Sequence, residues 1–197
     1  MRKKNGMKYN PAIHHRRSIR LKGYSYSQDG VYFVTVCTEN RECLLGEIKN
    51  SEMILNEYGE ITKFTWSDLI NHNKNISLDY FVIMPNHVHG IVMIMDNENH
   101  VGAGSKPAPI KFALIKRAGL EPAPTQNGLS EIVRQFKTFS AKRINTLRNT
   151  PAIPVWQRNF YDHIIRNEDE LIRIREYIEN NPIKWDLDKN NPENIYM

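Results

Sequence analysis

Two histidines separated by a single residue, His87 and His89, stand in the stretch Met-Pro-Asn-His-Val-His-Gly. On a β-strand, residues i and i+2 point to the same side of the sheet, so both imidazoles could bind one metal ion while Val88 points into the core. Two ligands do not complete a metal site, and the same pair could instead form hydrogen bonds on a half-exposed strand. The pair therefore indicates a metal site only where a third ligand lies nearby.

Tyr177 and Asn181 lie four residues apart in the sequence Tyr-Ile-Glu-Asn-Asn-Pro, so in a helix they stand on one face. A side-chain amide oxygen can bind a hard cation, which makes Asn181 the candidate third ligand. A phenol with a pKa of about 10 is a weak nucleophile, but a cation that polarises a phosphate makes attack by Tyr177 feasible. The alternative interpretation is a helix C-terminus with a polar cap and a proline stop.

The elements that position these residues are predicted from apolar spacing, capping signals and turn signals. In chain order they are a strand over 31–37, a hairpin over 44–55, a helix over 57–72, strands over 76–84 and 87–95, a helix over 130–147, an extended segment over 155–165 and a helix over 168–180. Phe64 and Ile70 are expected on the core side of the first helix, and Ser130 and Asn167 are the predicted N-caps of the last two. The order predicts an α+β fold of the ferredoxin-like kind, with an antiparallel sheet and packed helices.

A length of 197 residues with 40% apolar side chains favours one domain. We expect a basic N-terminal arm over 1–22, a single domain over 23–185 with a flexible Pro/Gly-rich insertion at about 96–128, and a C-terminal tail over 186–197. No apolar run is long enough to span a membrane or to form a secretory signal, so a cytoplasmic protein is expected. Cys37 and Cys43 are expected to be ordinary thiols in a reducing compartment.

Positive charge is concentrated in a few segments, although the formal net charge is only +5. No acid occurs over 1–28, and the helix predicted over 130–147 carries cations on the face away from the core. Such segments favour DNA binding, because each neutralised phosphate releases condensed counterions, whereas the alternative is a solvated tail. The candidate DNA-binding residues are Arg16, Arg17, Arg20, Lys22, Arg134, Lys137, Lys142 and Arg173. Arg173 could equally be a salt-bridge partner of Glu170 or Glu176.

Other aromatic and histidine side chains have weaker claims to a functional role. Tyr161 is a second candidate nucleophile, but its apolar neighbours predict a core aromatic residue in a packed strand. His163 could approach the metal or the DNA, although a single histidine in an apolar strand is typically a hydrogen-bonded structural residue. Stacking of unpaired bases could involve Tyr24, Tyr26 or Phe112.

Taken together, the motifs resemble those of a known family. They are Arg20-Leu-Lys-Gly-Tyr24, Val31-Tyr-Phe-Val-Thr-Val36, Met84-Pro-Asn-His-Val-His-Gly-Ile91, Phe136-Lys137, Val155-Trp-Gln-Arg158, Phe160-Tyr-Asp-His-Ile-Ile-Arg166 and Tyr177-Ile-Glu-Asn-Asn-Pro182. In this order they resemble the HUH-type single-tyrosine transposases of bacterial insertion sequences, in the branch of the REP-associated tyrosine transposases. The resemblance covers roughly residues 17–184 and is interrupted by the Pro-rich insertion.

The resemblance implies an HUH endonuclease fold and a transposase that cleaves and rejoins single-stranded, hairpin-containing DNA. It implies that His87, His89 and Asn181 hold Mg²⁺ or Mn²⁺, and that Tyr177 attacks a DNA phosphate to form a 5′-phosphotyrosine intermediate. The expected substrates are hairpins at palindromic repeats or insertion-sequence ends, bound by a monomer or a homodimer. Two alternatives stay open, namely a metal-dependent DNA hydrolase in which the histidines activate water and a non-catalytic single-stranded DNA-binding protein.

Overall fold

The computed structural model describes residues 29–95 and 128–194 of the chain. The basic arm, nearly all of the Pro/Gly-rich insertion and residues 195–197 lie outside the described residues. The predictions made for side chains in those parts are therefore without a structural counterpart. They concern Arg16, Arg17, Arg20, Lys22, Tyr24, Tyr26 and Phe112.

Strands and helices alternate along the described part of the chain in the predicted order. They are β1 (Gly30–Cys37), β2 (Gly46–Lys49), β3 (Glu52–Leu55), α1 (Glu57–Ser67), α2 (Leu69–His72), β4 (Ile76–Met84), β5 (His87–Ile94), α3 (Leu129–Leu147), β6 (Tyr161–Ile165) and α4 (Glu168–Glu179). Short 3₁₀ helices lie at Glu39–Arg41, Trp185–Leu187 and Pro192–Asn194. The predicted α+β class is confirmed, and within the described ranges no helix is both long and apolar enough to cross a membrane.

A four-stranded antiparallel sheet in the order β4-β5-β1-β6 forms the centre of the fold, and β2 and β3 pair separately as a hairpin. Strands β4 and β5 are joined at the predicted turn of Pro85 and Asn86. On its other side β5 pairs with β1, which places His87 opposite Cys37 and His89 opposite Thr35. Because β5 lies between two strands and is covered on both faces, all of its residues are buried.

Alternation along the central strands divides their side chains between two faces of the sheet. Val88 and Val92 of β5 belong to the larger core, together with Trp66 of α1 and Phe136 of α3. The opposite face packs against α4 in a smaller core. Its buried members are Val31, Phe33, Ile91, Met93, Ile165, Leu171 and Ile178. The two histidines alternate with Val88, so they share this second face with α4.

The helix predicted over 57–72 is divided, because Asp68 ends α1 and is followed by the single turn of α2. The prediction that Phe64 and Ile70 face the core is wrong, since they are 59% and 49% exposed. Trp66, 1% exposed, occupies the core position instead. The guanidinium of Arg143 lies 5.0 Å from the centroid of the Phe64 ring, a cation-π contact that stabilises an aromatic ring at the surface.

Helix α3 begins at Leu129 with Gly128 as its N-cap, so the prediction of Ser130 as the cap is wrong. Leu129 is fully buried, and burying a leucine contributes about 1.5–3 kcal/mol, more than the ~1 kcal/mol of a serine cap. The apolar contact therefore decides where the helix starts. Asn167 is the N-cap of α4 as predicted, and its side chain accepts a hydrogen bond from the backbone N–H of Glu170.

Residues 186–194, which were predicted to belong to a C-terminal tail, pack on the body of the protein. Asn190 and Asn191 are only 3% and 4% exposed. The side-chain amide of Asn86, at the β4–β5 turn, donates to the backbone carbonyl of Asn190 at 2.7 Å. The prediction of a tail is wrong for these residues, because polar contacts hold the segment and leave no periodic apolar pattern in the sequence.

Candidate metal and tyrosine site

His87 and His89 are 0% and 1% exposed, and the centroids of their rings lie 4.4 Å apart. Both belong to the face of the sheet that α4 covers, where Tyr177 contacts the ring of His89. The alternative, in which the two histidines form hydrogen bonds on a half-exposed strand, is therefore wrong about their exposure, because both rings are buried. Two imidazoles buried in contact are stable as neutral rings, or with one cation shared between them.

The Nδ1 atom of each imidazole contacts a polar side chain that orients the ring. For His87 this is the preceding residue, Asn86, and for His89 it is the cross-strand partner Thr35. His87 Nδ1 lies 2.8 Å from Asn86 Oδ1, and His89 Nδ1 lies 2.8 Å from Thr35 Oγ1. The amide nitrogen of Asn86 donates to two backbone carbonyls, so its oxygen is the end that accepts from His87. His87 Nδ1 therefore carries the proton and Nε2 keeps its lone pair, the arrangement found in histidines that bind metals.

Burial lowers the pKa of both histidines. Desolvation is the main cause for His87, opposed by the negative charge of Asp188. For His89 desolvation is again the main cause, and the nearby His87 and Lys189 lower the pKa further. The rings are consequently neutral at pH 7, which is the state in which an imidazole nitrogen can bind a cation.

Asp188 supplies a carboxylate that sequence analysis did not assign. One ligand atom from each of His87, His89 and Asp188 lies within 4.8 Å of the others. Asp188 belongs to the segment predicted as a tail, and its Oδ1 accepts a hydrogen bond from the backbone N–H of Asn190 at 2.6 Å. No periodic pattern links residue 188 to β5, so only the packed structure brings this residue to the histidines.

Asn181, the third ligand predicted from the sequence, also lies in this group and is 2% exposed. Its Nδ2 atom donates to Asp188 Oδ2 at 3.3 Å. Its Oδ1 atom and the Nε2 atom of His87 are buried and have no hydrogen-bond partner among the described residues. Two buried acceptors without donors are unfavourable in a dry site, whereas a divalent cation would use both lone pairs. The donor set of imidazole, carboxylate and amide oxygen therefore fits such a cation.

Tyr177 is 41% exposed, at the predicted boundary between core and solvent. Its hydroxyl lies 3.2 Å from His89 Nε2, and its ring packs against Phe33 at 6.0 Å between centroids. Burial raises the pKa of the phenol, and the charge of Asp188 raises it further. Because an imidazole nitrogen has one lone pair, His89 Nε2 can accept from Tyr177 or bind a cation, but not both.

Tyr161 and His163 lie on β6, the edge strand next to β1. The prediction that Tyr161 is a core residue is wrong, since it is 40% exposed at the end of the strand. An edge strand has one open side, so apolar neighbours in the sequence do not ensure burial. His163 Nε2 lies 2.7 Å from a carboxylate oxygen of Glu170, in agreement with the structural role predicted for it.

The predicted DNA-binding cations of α3 and α4 differ in their surroundings. Arg134 is paired with Glu131 at 2.6 Å. Lys137 Nζ donates to the backbone carbonyls of Gln157 and Asn159 at 2.8 and 2.9 Å, which engages its ammonium within the protein. Lys142 and Arg173 are exposed.

Two cations that sequence analysis did not select lie beside the site. Lys189 Nζ lies 5.8 Å from the centroid of the Tyr161 ring, and its charge contributes to the lowered pKa values of both histidines. Arg41 donates from Nη1 to the backbone carbonyl of Lys189 at 3.0 Å and to Asn190 Oδ1 at 3.1 Å. The site thus combines a ligand cluster, an accessible phenol and positive charge.

No protein-family model matches the chain. An uncharacterized protein of Haemophilus influenzae is 42% identical over 182 residues, which cover 92% of this chain and 96% of the relative. A second Haemophilus influenzae protein, named "Putative REP-associated tyrosine transposase", is 22% identical over 81% of this chain and 73% of the relative.

Among solved structures, the chain resembles a REP-associated tyrosine transposase bound to a REP hairpin. The TM-score is 0.52 and the identity 18%, over 88% of this chain and 75% of the other. At this identity the likeness concerns the fold, and it agrees with the resemblance that the motifs indicated. The chain belongs to one family with the uncharacterized Haemophilus influenzae protein, and its fold is that of a REP-associated tyrosine transposase.

Proposed function

We propose that the protein cleaves and rejoins single-stranded, hairpin-containing DNA through a covalent intermediate on Tyr177. The observation that carries the proposal is the position of the Tyr177 hydroxyl, 3.2 Å from His89 Nε2 and next to a cluster of candidate metal ligands. A nucleophile beside a cation site is the arrangement needed to attack a phosphodiester. The relative of similar fold, which binds a REP hairpin, supports a hairpin substrate.

His87, His89, Asp188 and Asn181 would hold a divalent cation, for which Mg²⁺ and Mn²⁺ are the candidates. Such a cation supplies Lewis acidity, which polarises a phosphate oxygen and offsets the charge of the transition state. The outer partners Asn86 and Thr35 hold the two imidazoles in orientation, and Asn86 also selects the tautomer of His87 that leaves Nε2 free for a metal.

In the proposed reaction the phenolic oxygen of Tyr177 bonds to phosphorus as the bond between phosphorus and the 3′-oxygen breaks. The phenol proton passes to water, and the departing 3′-oxygen takes a proton from water. The products are a 5′-phosphotyrosine and a free 3′-hydroxyl, so strand rejoining is the reverse reaction and needs no nucleotide cofactor. A cation held by His89 Nε2 would take the place of the Tyr177 hydroxyl at that atom and leave the phenol free to approach phosphorus.

The positive side chains around the site would bind the DNA backbone. Lys189 lies next to Tyr161 and influences both histidines, which supports a role for its charge beside the phosphate that Tyr177 would attack. Lys142 and Arg173 are exposed and available for more distant phosphates. Each contact would position the strand without reading its sequence.

The proposal is tested with labelled hairpin oligonucleotides that carry randomised single-stranded flanks, incubated with the protein and Mn²⁺ or Mg²⁺. We expect a protein-DNA adduct on a denaturing gel that disappears with chelator and in Tyr177→Phe. The matched control is Tyr161→Phe, because Tyr161 is 40% exposed against 41% for Tyr177, and this variant should retain the adduct.

Cleavage without an adduct that survives Tyr177→Phe would favour the metal-dependent hydrolase. Binding without any cleavage in either metal would favour the non-catalytic DNA-binding protein. An adduct that is lost in Tyr161→Phe and kept in Tyr177→Phe would identify the other tyrosine as the nucleophile.

The ligand set is tested separately by measuring Mn²⁺ affinity. Asp188→Asn keeps the size of the side chain and a hydrogen-bond acceptor for Asn190, but removes the negative charge. We expect Mn²⁺ affinity to fall by about 10-fold or more, because charged oxygen ligands dominate binding of hard cations. An unchanged affinity in Asp188→Asn, together with a large loss in Asn181→Ala, would exclude the carboxylate as a ligand.

A further inference from the structure

A cavity of about 490 Å³ lies between the β2–β3 hairpin and the segment that follows α4. Its volume is in the range of small-ligand sites. Ile48, Asn50 and Ser51 line it from the hairpin side, and Trp185, Asp186 and Glu193 line it from the other side. Neither the metal ligands nor Tyr177 belong to its lining, so it is distinct from the site described above.

Trp185 connects the cavity to the candidate metal site. Trp185 is half-buried and lines the cavity, and its ring stacks on His87 with 6.0 Å between centroids and 29° between planes. Ring contacts lead from Tyr177 through His89 and His87 to Trp185, with 5.2, 4.4 and 6.0 Å between successive centroids. A strand whose phosphate reaches Tyr177 would therefore have nucleotides a few positions away within reach of this cavity.

The lining favours a nucleobase over a phosphate. Among the described residues it contains no lysine or arginine, and the carboxylates of Asp186 and Glu193 would repel an anion. Carboxylates accept hydrogen bonds from the amino group of cytosine, whereas thymine presents the acceptor O4 in the same position. A planar base also stacks favourably on an indole, whatever its identity.

We propose that this cavity binds one unstacked base of the DNA strand a few positions from the scissile phosphate, and that it prefers a base with an exocyclic amino group. The proposal deepens the proposed function, on which it rests, by adding a site that selects among DNA sequences. The ring of Trp185 provides the stacking surface, and Asp186 and Glu193 accept from the amino group.

The test compares the binding of fluorescein-labelled dC12 and dT12 to the full-length Tyr177→Phe protein at pH 7.5, which prevents covalent trapping. We expect dC12 to bind about 5-fold or more tightly, because cytosine offers an amino group to the two carboxylates and thymine does not. Asp186→Asn with Glu193→Gln should remove most of this preference. Glu60→Gln, which removes an exposed charge on α1 outside the cavity, should preserve it.

Tryptophan fluorescence locates the base. The chain has three tryptophans, and Trp66 and Trp156 are only 1% and 7% exposed, so a stacked base should quench mainly Trp185. We expect dC12 to quench the emission of the parent protein, and Trp185→Phe to abolish this quenching while dC12 still binds.

Equal affinity for dC12 and dT12, or quenching that persists in Trp185→Phe, would overturn the assignment of the cavity. Failure of the proposed function would look different, because the adduct with wild-type protein would be absent while the preference for dC12 remained. An adduct without any preference would leave the tyrosine mechanism intact and remove only the base site.

Discussion

The two faces of β5 are buried to the same extent but differ in the interactions that their side chains make. His87 and His89 are 0% and 1% exposed on the α4 face, and Val88 and Val92 are 0% exposed on the other. The valines contribute stability through apolar contact, about 25 cal/mol per Å² of buried surface. The histidine face instead keeps one imidazole nitrogen, His87 Nε2, and one amide oxygen, Asn181 Oδ1, without a hydrogen-bond partner among the described residues. Burial alone therefore does not separate structural from functional positions. The Trp66 indole N–H on the apolar face is also without a partner among the described residues, but it lies among aromatic rings, whereas the two unpaired acceptors of the histidine face belong to one cluster of candidate ligands.

Packing on the apolar face is close enough to determine residue type at a single position. A Cβ on Gly90 would lie 2.2 Å from Cζ2 of Trp66, so only glycine allows the indole to rest on the strand. The same indole packs edge to face on Phe136, with 5.2 Å between centroids. On the histidine face, hydrogen bonds from His87 to Asn86 and between His89 and Thr35 take the place of such apolar packing. Substitutions on each face can therefore test how the two faces differ.

The largest effect is expected from Trp66→Ala on the apolar face. Loss of this fully buried side chain should lower the free energy of unfolding by about 3–5 kcal/mol, measured by urea denaturation. The folded protein should keep its Mn²⁺ affinity, since the histidines lie on the opposite face. A large loss of Mn²⁺ affinity at low temperature, where the variant is folded, would show that the two faces are coupled.

A smaller effect is expected from Thr35→Val on the histidine face. This change removes the hydroxyl that lies 2.8 Å from His89 Nδ1 and should weaken Mn²⁺ binding by about 10- to 100-fold. Mn²⁺ should then raise the melting temperature less than in the wild type, because ligand binding stabilises the folded state in proportion to affinity.

The control for this variant is Thr62→Val on the other side of the sheet. Thr62 is fully buried and its hydroxyl donates to the Tyr58 carbonyl, but it has no contact with the histidines. Equal losses of Mn²⁺ affinity in both variants would mean that the Thr35 hydroxyl has no specific role.

The smallest effect is expected at the start of α4, which carries Tyr177. Glu170 accepts hydrogen bonds from the backbone N–H of Arg166 and from His163. Burial raises the pKa of Glu170, but these two bonds and the neighbouring charges outweigh it and leave the pKa lowered. A depressed carboxyl pKa contributes stability above the ordinary value of 4.5, which is lost as the pH falls through the folded-state pKa.

Glu170→Gln should therefore lower the free energy of unfolding by about 1 kcal/mol at pH 7 and flatten its decline below pH ~4.5. The measurement is urea denaturation across this pH range, with Glu168→Gln, an exposed residue of the same turn, as the control. An unchanged decline in Glu170→Gln would assign the acid sensitivity to other carboxylates.

Sequence patterns predicted elements whose signals are local. The strand over 76–84, the turn at Pro85 and the cap at Asn167 appear as predicted, because apolar alternation, proline and side-chain capping act over a few residues. The errors at Phe64 and Ser130 arose where a tertiary contact, the burial of Trp66 or Leu129, outweighed the local preference.

The candidate site was predictable only in part for a related reason. His87 and His89 are separated by one residue, and Tyr177 and Asn181 by three, so each pair was visible as a spacing. Asp188 joins β5 across about a hundred residues through the contact between Asn86 and Asn190, which no periodicity encodes. Lys189 is not predicted for the same reason, since both lie within residues 186–194, whose contacts leave no periodic signal in the sequence.

The segment that follows α4 has a consequence for genetics. A stop codon after residue 184 would leave all six described strands and four described α-helices encoded. It would remove Trp185, Asp188, Lys189 and Asn190, and with them the carboxylate of the cluster, the nearby cation and a wall of the cavity. On the proposed function, alleles truncated there are expected to abolish DNA cleavage even in molecules whose strands and α-helices still form, a loss of activity separate from a loss of the fold.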